Sequence, residues 1–177
     1  MCVGMMKNIF ITGDRQIGKS TLLNHILSEC QKEYVGYRTL PDQKVSIGYT
    51  YVMQDITTQE TMSISYYDGN RMMGIPETFS NLGVRCLKHA LKSSCEIVVL
   101  DELGRFEQEN LDFIESVYDL LDSEKWVIAV LKNEPISYLL QMKQREDCQL
   151  YDLNTLSFEQ AEQMIISEIK MKGEEDE

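Results

Sequence analysis

The sequence predicts an α/β domain, a mostly parallel sheet with helices on both faces and an inserted antiparallel β-hairpin. Three observations carry that expectation. Short apolar runs at residues 9–11, 97–100 and 127–131 alternate with stretches whose apolar residues recur at helical spacing. That is the pattern of strands buried on both faces between crossover helices. The first run leads into Gly13-Asp14-Arg15-Gln16-Ile17-Gly18-Lys19-Ser20, a full match to the phosphate-loop pattern G-x-x-x-x-G-K-[ST], or Walker A. The run at 97–100 ends in the acidic pair Asp101-Glu102, the Walker B position.

Taken in order, Ile9-Phe10-Ile11 is too short for a helix, and Leu22, Leu23, Ile26 and Leu27 follow the glycine loop at helical spacing. Residues 34–39 read as a second strand, closed by Leu40-Pro41-Asp42. Val45, Ile47, Tyr49, Tyr51 and Met53 then alternate with polar residues, and Met62, Ile64 and Tyr66 repeat the alternation beyond a polar turn at 55–60. Together they predict a half-buried hairpin. Residues 67–77, with Asp68-Gly69-Asn70 and Gly74-Ile75-Pro76, read as loop. A helix is expected over 78–92 with Leu82, Cys86, Ala90 and Leu91 inward, and Gly83 weakens its first turn. Leu111, Ile114, Val117, Tyr118 and Leu121 mark another, with Glu107 and Glu109 suited to its N-terminus. Pro135 precedes a short helix at 136–143, residues 149–153 form a last strand, and Ser157 with Gln160 fits a capping box before a helix carrying Ala161, Ile165 and Ile169.

Composition narrows the class of function. At 177 residues, 43% hydrophobic and 26% charged, the chain suits one domain over residues 1–172, with an acidic tail at 173–177. No apolar run approaches the roughly 20 residues that span a bilayer, and the N-terminus does not read as a secretory signal. A cytoplasmic protein without membrane contact is expected. A formal charge of −12 argues against a broad nucleic-acid surface. Five scattered cysteines without a C-x-x-C pair, and His25 and His89 in helical patterns, point to reduced thiols and no transition metal.

The loop residues explain themselves chemically. Gly13 and Gly18 allow backbone angles that turn N–H groups inward around phosphate oxygens, beside the positive end of the next helix. Asp14, Arg15, Gln16, Ile17 and Thr21 complete the expected nucleotide cradle. Lys19 is a mobile cation for the β- and γ-phosphates, and the Ser20 hydroxyl suits Mg²⁺. Asp101 is the expected second Mg²⁺ residue, and Glu102 the group that orients and deprotonates an attacking water. In open parallel sheets both motifs fall beyond the C-terminal strand ends, where ligands bind.

With those residues in place a family resemblance is visible. Asp101-Glu102-Leu103-Gly104-Arg105-Phe106-Glu107 resembles the D-E-[IL]-G-x-[MF]-E signature of the cancer-related nucleoside-triphosphatases, the THEP-type NTPases, among P-loop NTPases. Gly36-Tyr37-Arg38-Thr39 is similar to that family's G-[FY]-x-T strand, and Gly48-Tyr49 stands where it has G-F. The resemblance implies a RecA/AAA-like fold with strand 127–131 between the phosphate-loop and acidic strands. It also implies Mg²⁺-dependent hydrolysis of several nucleoside triphosphates, ATP and GTP among them. The chain departs from the family in having no arginine at 40–46 and no N-R-D around Asn154.

Two other readings stay open on the residues alone. A small nucleoside or nucleotide kinase would pass the γ-phosphate to an acceptor, with 67–77 as a lid carrying Arg71. A nucleotide-gated binding module would turn over slowly. Arg105 is placed either to reach the phosphates or to solvate a helix start, and Lys132 or Asn133 either to sense the γ-phosphate or to form a turn. An oligomer is compatible with the sequence, which carries no signal for one.

Overall fold

The computed structural model describes residues 8–175; the expectations for Cys2, for the N-terminal segment and for residues 176 and 177 lie outside them. Strand β1 (Asn8–Thr12) is followed by α1 (Lys19–Cys30), β2 (Tyr34–Val45), β3 (Gly48–Asp55) and β4 (Thr61–Ser63). A small hairpin, β5 (Ser65–Tyr67) and β6 (Met72–Gly74), comes next. Then α2 (Pro76–Thr78), a π-helical turn (Phe79–Gly83) and α3 (Val84–Lys92) run on as one helical stretch. The rest is β7 (Ile97–Leu103), α4 (Leu111–Asp122), β8 (Trp126–Leu131), α5 (Ser137–Lys143), β9 (Cys148–Asp152) and α6 (Phe158–Glu175).

The main sheet has the order β4-β3-β2-β7-β8-β1-β9. From β2 to β9 all neighbours are parallel, while β3 and β4 extend the β2 edge antiparallel. β8 therefore lies between the glycine-loop strand β1 and the acidic strand β7. The alternation of side chains divides the core. Ile9 and Ile11 face α1 and α6 together with Leu22, Ile26, Ala161 and Ile165, while Phe10 faces the opposite layer with Leu87, Phe113, Val117 and Leu139. Leu22 and Ile26 are fully buried, at about 1.5–3 kcal/mol for each such side chain, so packing rather than capping fixes α1 and the loop before it.

Several elements differ from the sequence expectation, each for a physical reason. β2 runs through Pro41 to Val45, because past Arg38 it has left β7 and is paired on one side only, where a proline is tolerated. The expected strand at 45–53 is divided: Val45 ends β2, Ser46 and Ile47 turn, and β3 begins at Gly48. In β3 Thr50 and Met53 are buried while Tyr49 is 44% exposed, so the alternating aromatics do not all face the core. The expected loop at 67–77 contains β6 and the start of α2.

In the helical stretch Leu87, not Leu91, joins Leu82, Cys86 and Ala90 inside. Gly83 sits there because a Cβ would lie 2.9 Å from the Phe113 ring. On α4 the exposed Leu111 yields the inward place to Phe113 and Leu120. The Ser157 and Gln160 box is made in both directions, at 3.0 and 3.1 Å. α6 continues past 173 to Glu175, beyond the expected start of the tail, with Lys172 buried 4.1 Å from the Trp126 ring centroid.

One close approach sets the sheet geometry near the site. Gly36 has φ +120°, and a Cβ there would stand 2.0 Å from the Val99 carbonyl oxygen of β7. The obstacle is backbone, so it cannot rotate aside. Gly36→Ala is expected to lower stability by at least about 2 kcal/mol, from backbone strain plus the forced separation of β2 and β7. Urea unfolding checks this, and a midpoint equal to that of the unaltered protein would contradict it.

Candidate functional site

The glycine loop closes on itself. Gly13 and Gly18 both have positive φ, and the Ile17 N–H donates to the Asp14 carbonyl at 3.2 Å. No side chain caps α1, which leaves the first-turn amides of Lys19, Ser20 and Thr21 for an anion. The Lys19 ammonium donates to the carbonyl oxygens of Gly13 at 2.7 Å and Asp14 at 3.0 Å. It is buried, and that burial pulls its pKa down, opposed by the charge of Glu102. Around it Asp14, Arg15, Gln16, Ile17, Ser20 and Thr21 are exposed toward the loop's open side.

The acidic pair arrives on β7 at the same end of the sheet. The Ser20 hydroxyl donates to Asp101 Oδ1 at 3.1 Å, so the two residues expected to share Mg²⁺ are already in contact. Burial pushes the Asp101 carboxyl up to about 6, partly opposed by that hydrogen bond. Glu102 is likewise raised by burial and held down by Lys132 and Lys19, with Lys132 Nζ 4.0 Å from its carboxylate.

The side chains that fix Glu102 come from the neighbouring strand. Tyr37, fully buried, donates its hydroxyl to the Glu102 carbonyl at 3.1 Å, and the Glu102 N–H donates to Thr39 Oγ1 at 3.2 Å. The pairing of β7 with β8 shifts register between Asp101 and Leu103, so Glu102 stands out of that ladder and is held from β2 instead. The sequence marked Gly36-Tyr37-Arg38-Thr39 through a resemblance but assigned the strand no task.

Glu107 does not serve the N-terminus of α4, as expected from the dipole; that helix starts at Leu111 with Asn110 capping Phe113 N–H at 3.1 Å. Glu107 turns inward instead. Its Oε1 accepts the Gly104 N–H and lies 2.8 Å from the Tyr138 hydroxyl of α5, which also lies 2.7 Å from the Gly104 carbonyl. The carboxyl thus ties down the loop carrying Arg105 and Phe106. Burial pushes it up to about 7. Nothing in the local pattern identifies Tyr138 as its partner, which is a tertiary contact.

The surrounding cleft has a volume of about 1030 Å³. Its walls bring together residues 13–16 and 18–21, Asp101, Glu102, Arg105 and Lys132 with Arg71 of the β5–β6 turn, while Ile17 of the expected cradle does not line it. Arg105 is exposed in that wall, with its guanidinium 5.3 Å from the Phe106 ring centroid. Asn133 is no simple turn: its amide donates to the Asp14 carboxylate at 3.1 Å, and Asn154, after β9, does the same at 3.2 Å. Neither contact was foreseen.

A glycine loop that ends in a helix N-terminus, with an acidic strand one strand beyond β8, defines a P-loop nucleotide-binding protein. The chain belongs to the NTPase family, whose model matches residues 8–169. It is similar to the nucleoside-triphosphatase THEP1 of Thermotoga maritima, 28% identical over 152 residues, 82% of this chain and 86% of that one. The nucleoside-triphosphatase THEP1 of Methanocaldococcus jannaschii is 28% identical over 172 residues, 91% of this chain and 96% of that one. The crystal structure of THEP1 from the hyperthermophile Aquifex aeolicus shares the fold, with a TM-score of 0.73 over 92% of this chain and 99% of that chain at 19% identity. Among the described residues no helix is long and apolar enough to cross a membrane.

The Glu107 environment has a measurable consequence. With its folded pKa raised to about 7, the folded state binds a proton that the unfolded chain releases near pH 4.5. Stability from this group is therefore fully present below about pH 4.5 and is lost as pH rises toward 7. Asp101 shifts in the same sense, so the difference between two proteins isolates Glu107. Glu107→Gln keeps an oxygen acceptor for Gly104 and Tyr138 and removes the buried charge. Relative to the unaltered protein, the variant should gain up to about 3 kcal/mol between pH 4.5 and 7. Denaturant unfolding across that range checks it, and a pH-independent difference would contradict it.

Proposed function

We propose that the protein is a Mg²⁺-dependent nucleoside-triphosphatase, hydrolysing nucleoside triphosphate to diphosphate and phosphate with broad base use. The observation that carries this reading is the placement of Glu102. It follows the residue hydrogen-bonded to Ser20, and its backbone N–H and C=O are both held from β2. A carboxylate fixed in that way beside the phosphate end of the cleft is suited to orient a water and take its proton. The names of the related nucleoside-triphosphatases agree with the activity.

The donor set fits a hard divalent cation. Asp101 is buried, its charge disfavoured by that burial, and its oxygen is 3.1 Å from the Ser20 hydroxyl. Ser20 and Asp101 are the residues that would hold a magnesium ion, which would neutralise charge on the phosphate oxygens. The chain's own groups account for the rest. Lys19 leaves the Gly13 and Asp14 carbonyls for the β- and γ-phosphates, while the free amides of the first turn of α1 hold the polyphosphate. Lys132, 4.0 Å from Glu102, keeps the base ionised and faces developing negative charge.

Broad base use is supported by what the two strand-end asparagines do. Asn133 and Asn154 direct their amides at Asp14, so neither is presented to a base edge. The segment Leu131-Lys132-Asn133-Glu134 does not fit the guanine-reading N-K-x-D element.

Glu102→Gln keeps the shape but cannot accept a proton, so turnover should fall by about 10²-fold or more with triphosphate affinity retained. Lys19→Ala should instead weaken binding of a non-hydrolysable triphosphate with Mg²⁺. Phosphate release without any acceptor, followed for both variants, checks the mechanism; a Glu102→Gln rate equal to that of the unaltered protein would overturn it. Across ATP, GTP, CTP and UTP the kcat/KM values should fall within roughly a hundredfold, about 2.7 kcal/mol. A wider spread in the same assay would contradict broad base use.

A further inference from the structure

Hydrolysis requires room for one water beyond the γ-phosphate, and the cleft that holds the glycine loop also extends to an apolar wall. Its volume of about 1030 Å³ is at the upper end of the roughly 300–1,000 Å³ usual for a single ligand. Part of its wall is apolar. Tyr49, Tyr51, Ile64, Met73, Phe79 and Phe106 all line it, and they come from β3, the β4–β5 link, β6, the π-helical turn after α2 and the loop before α4. Phe106 is wedged against β6, where a Cβ on Gly74 would stand 2.6 Å from its ring. Tyr49 remains 44% exposed.

The position of this apolar chamber follows from the order of the sheet. If Glu102 acts on the γ-phosphate, the β- and α-phosphates extend along the loop toward Ser20 and Thr21. The sugar and base then leave toward the β9 side, where Gly18 lies 3.8 Å from Phe158 as measured from a Cβ on the glycine. The chamber is at the opposite end, beyond β7 and against β2 and β3. In-line displacement places the attacking oxygen opposite the leaving one, hence on the chamber side of the γ-phosphate. The group that attacks from there need not be water.

We propose that the chamber is a second-substrate site, for a nucleoside whose hydroxyl accepts the γ-phosphoryl group; this rests on the triphosphatase reading above. The base stacks on the aromatic and methionine wall, and the sugar hydroxyl lies toward Glu102. In the step a new P–O bond forms from the acceptor oxygen while the bond between γ-phosphorus and the bridging oxygen breaks. The nucleoside diphosphate leaves with that electron pair, and the acceptor's proton passes to Glu102. No further reactant is required. The part of the wall that the base would meet, Tyr49, Tyr51 and Met73, is uncharged, so the acceptor is taken as a nucleoside; Arg71 and Arg105 are cations of the same cleft. Arg71, the cation of the β5–β6 turn, is 72% exposed and paired with Asp68 at 3.8 Å.

The test incubates the full chain with Mg²⁺ and ATP, alone and with adenosine, guanosine, cytidine, uridine or thymidine at millimolar concentration. Products are followed by ³¹P NMR. At least one nucleoside should yield its monophosphate, and Tyr49→Ala and Met73→Ala should each lower transfer at least tenfold relative to acceptor-free hydrolysis. Phosphate release without any nucleoside monophosphate would overturn the second site and leave the triphosphatase reading standing. Neither product would overturn both. Monophosphate formation that the two variants do not reduce would place the acceptor elsewhere and also overturn the proposal. So would a matching tenfold loss of affinity for a non-hydrolysable ATP analogue, since the chamber would then hold the nucleotide's own base.

Discussion

The site depends on holding Glu102 by its backbone. A carboxylate side chain on a strand end is free to rotate, and its usefulness as a base depends on where its Cα is fixed. Here Tyr37 and Thr39 take the two backbone groups of Glu102 from β2. β2 can do so only because it lies close to β7 at Gly36, where a side chain would meet the Val99 carbonyl. The chain of dependence runs from a glycine in a buried strand, through strand spacing, to the position of the proposed base. The loop beyond Glu102 is fixed by different means: the Glu107 carboxyl and the Tyr138 hydroxyl gather the backbone of Gly104.

Electrostatics at the cleft oppose the character of the whole molecule. The chain carries a formal charge of −12, yet a polyanion is expected to bind. Distant surface charges are screened over about 10 Å at 0.1 M salt, whereas groups inside the cleft are not. Lys19, Lys132 and the α1 amides there face Asp101 and Glu102 at close range. Burial disfavours the charge on Lys19 and on both acids, and their mutual attraction resists it. Under the proposed reading, a triphosphate bound with a divalent cation would add both signs at once, the phosphates meeting the α1 amides and the cation meeting Asp101.

Much of this was legible because the recognisable residues are those whose backbone or charge allows no substitute. Gly13, Gly18, Lys19, Ser20, Asp101 and Glu102 lie in two short segments, and the order of strands and helices brings those segments to one end of the sheet. The supporting contacts were not legible. Asn154 reaches Asp14 across 140 residues and Asn133 across 119, and Tyr138 meets Glu107 across 31. Such pairs leave no local period. Glu107 was misread for the same reason, since its sequence distance from α4 suggested a dipole role that its tertiary partner overrides.

In the hairpin region the cleft interrupts the alternation that the sequence suggests. Alternation at 45–53 would place every aromatic on the core side if the strand were only structural. Instead the chain turns at Ser46 and Ile47, and β3 buries Thr50 and Met53 while Tyr49 and Ile47 stay exposed in the cleft wall. Exposed apolar side chains on an open cleft carry a hydration cost that a polar residue would avoid. The same wall continues through Tyr51 and Met73, and the Ser46 hydroxyl is tied to Tyr67 at 2.9 Å, linking the β2–β3 turn to the β5–β6 hairpin. Two hairpins so joined behave as one wall. That wall stands on the antiparallel extension of the sheet, and at its β2–β3 turn a Cβ on Gly48 would stand 3.5 Å from the Arg15 guanidinium of the glycine loop. The parallel core carries the phosphate-loop and acidic motifs, and the antiparallel edge supplies Ile47, Tyr49 and Tyr51 to the wall of the same cleft.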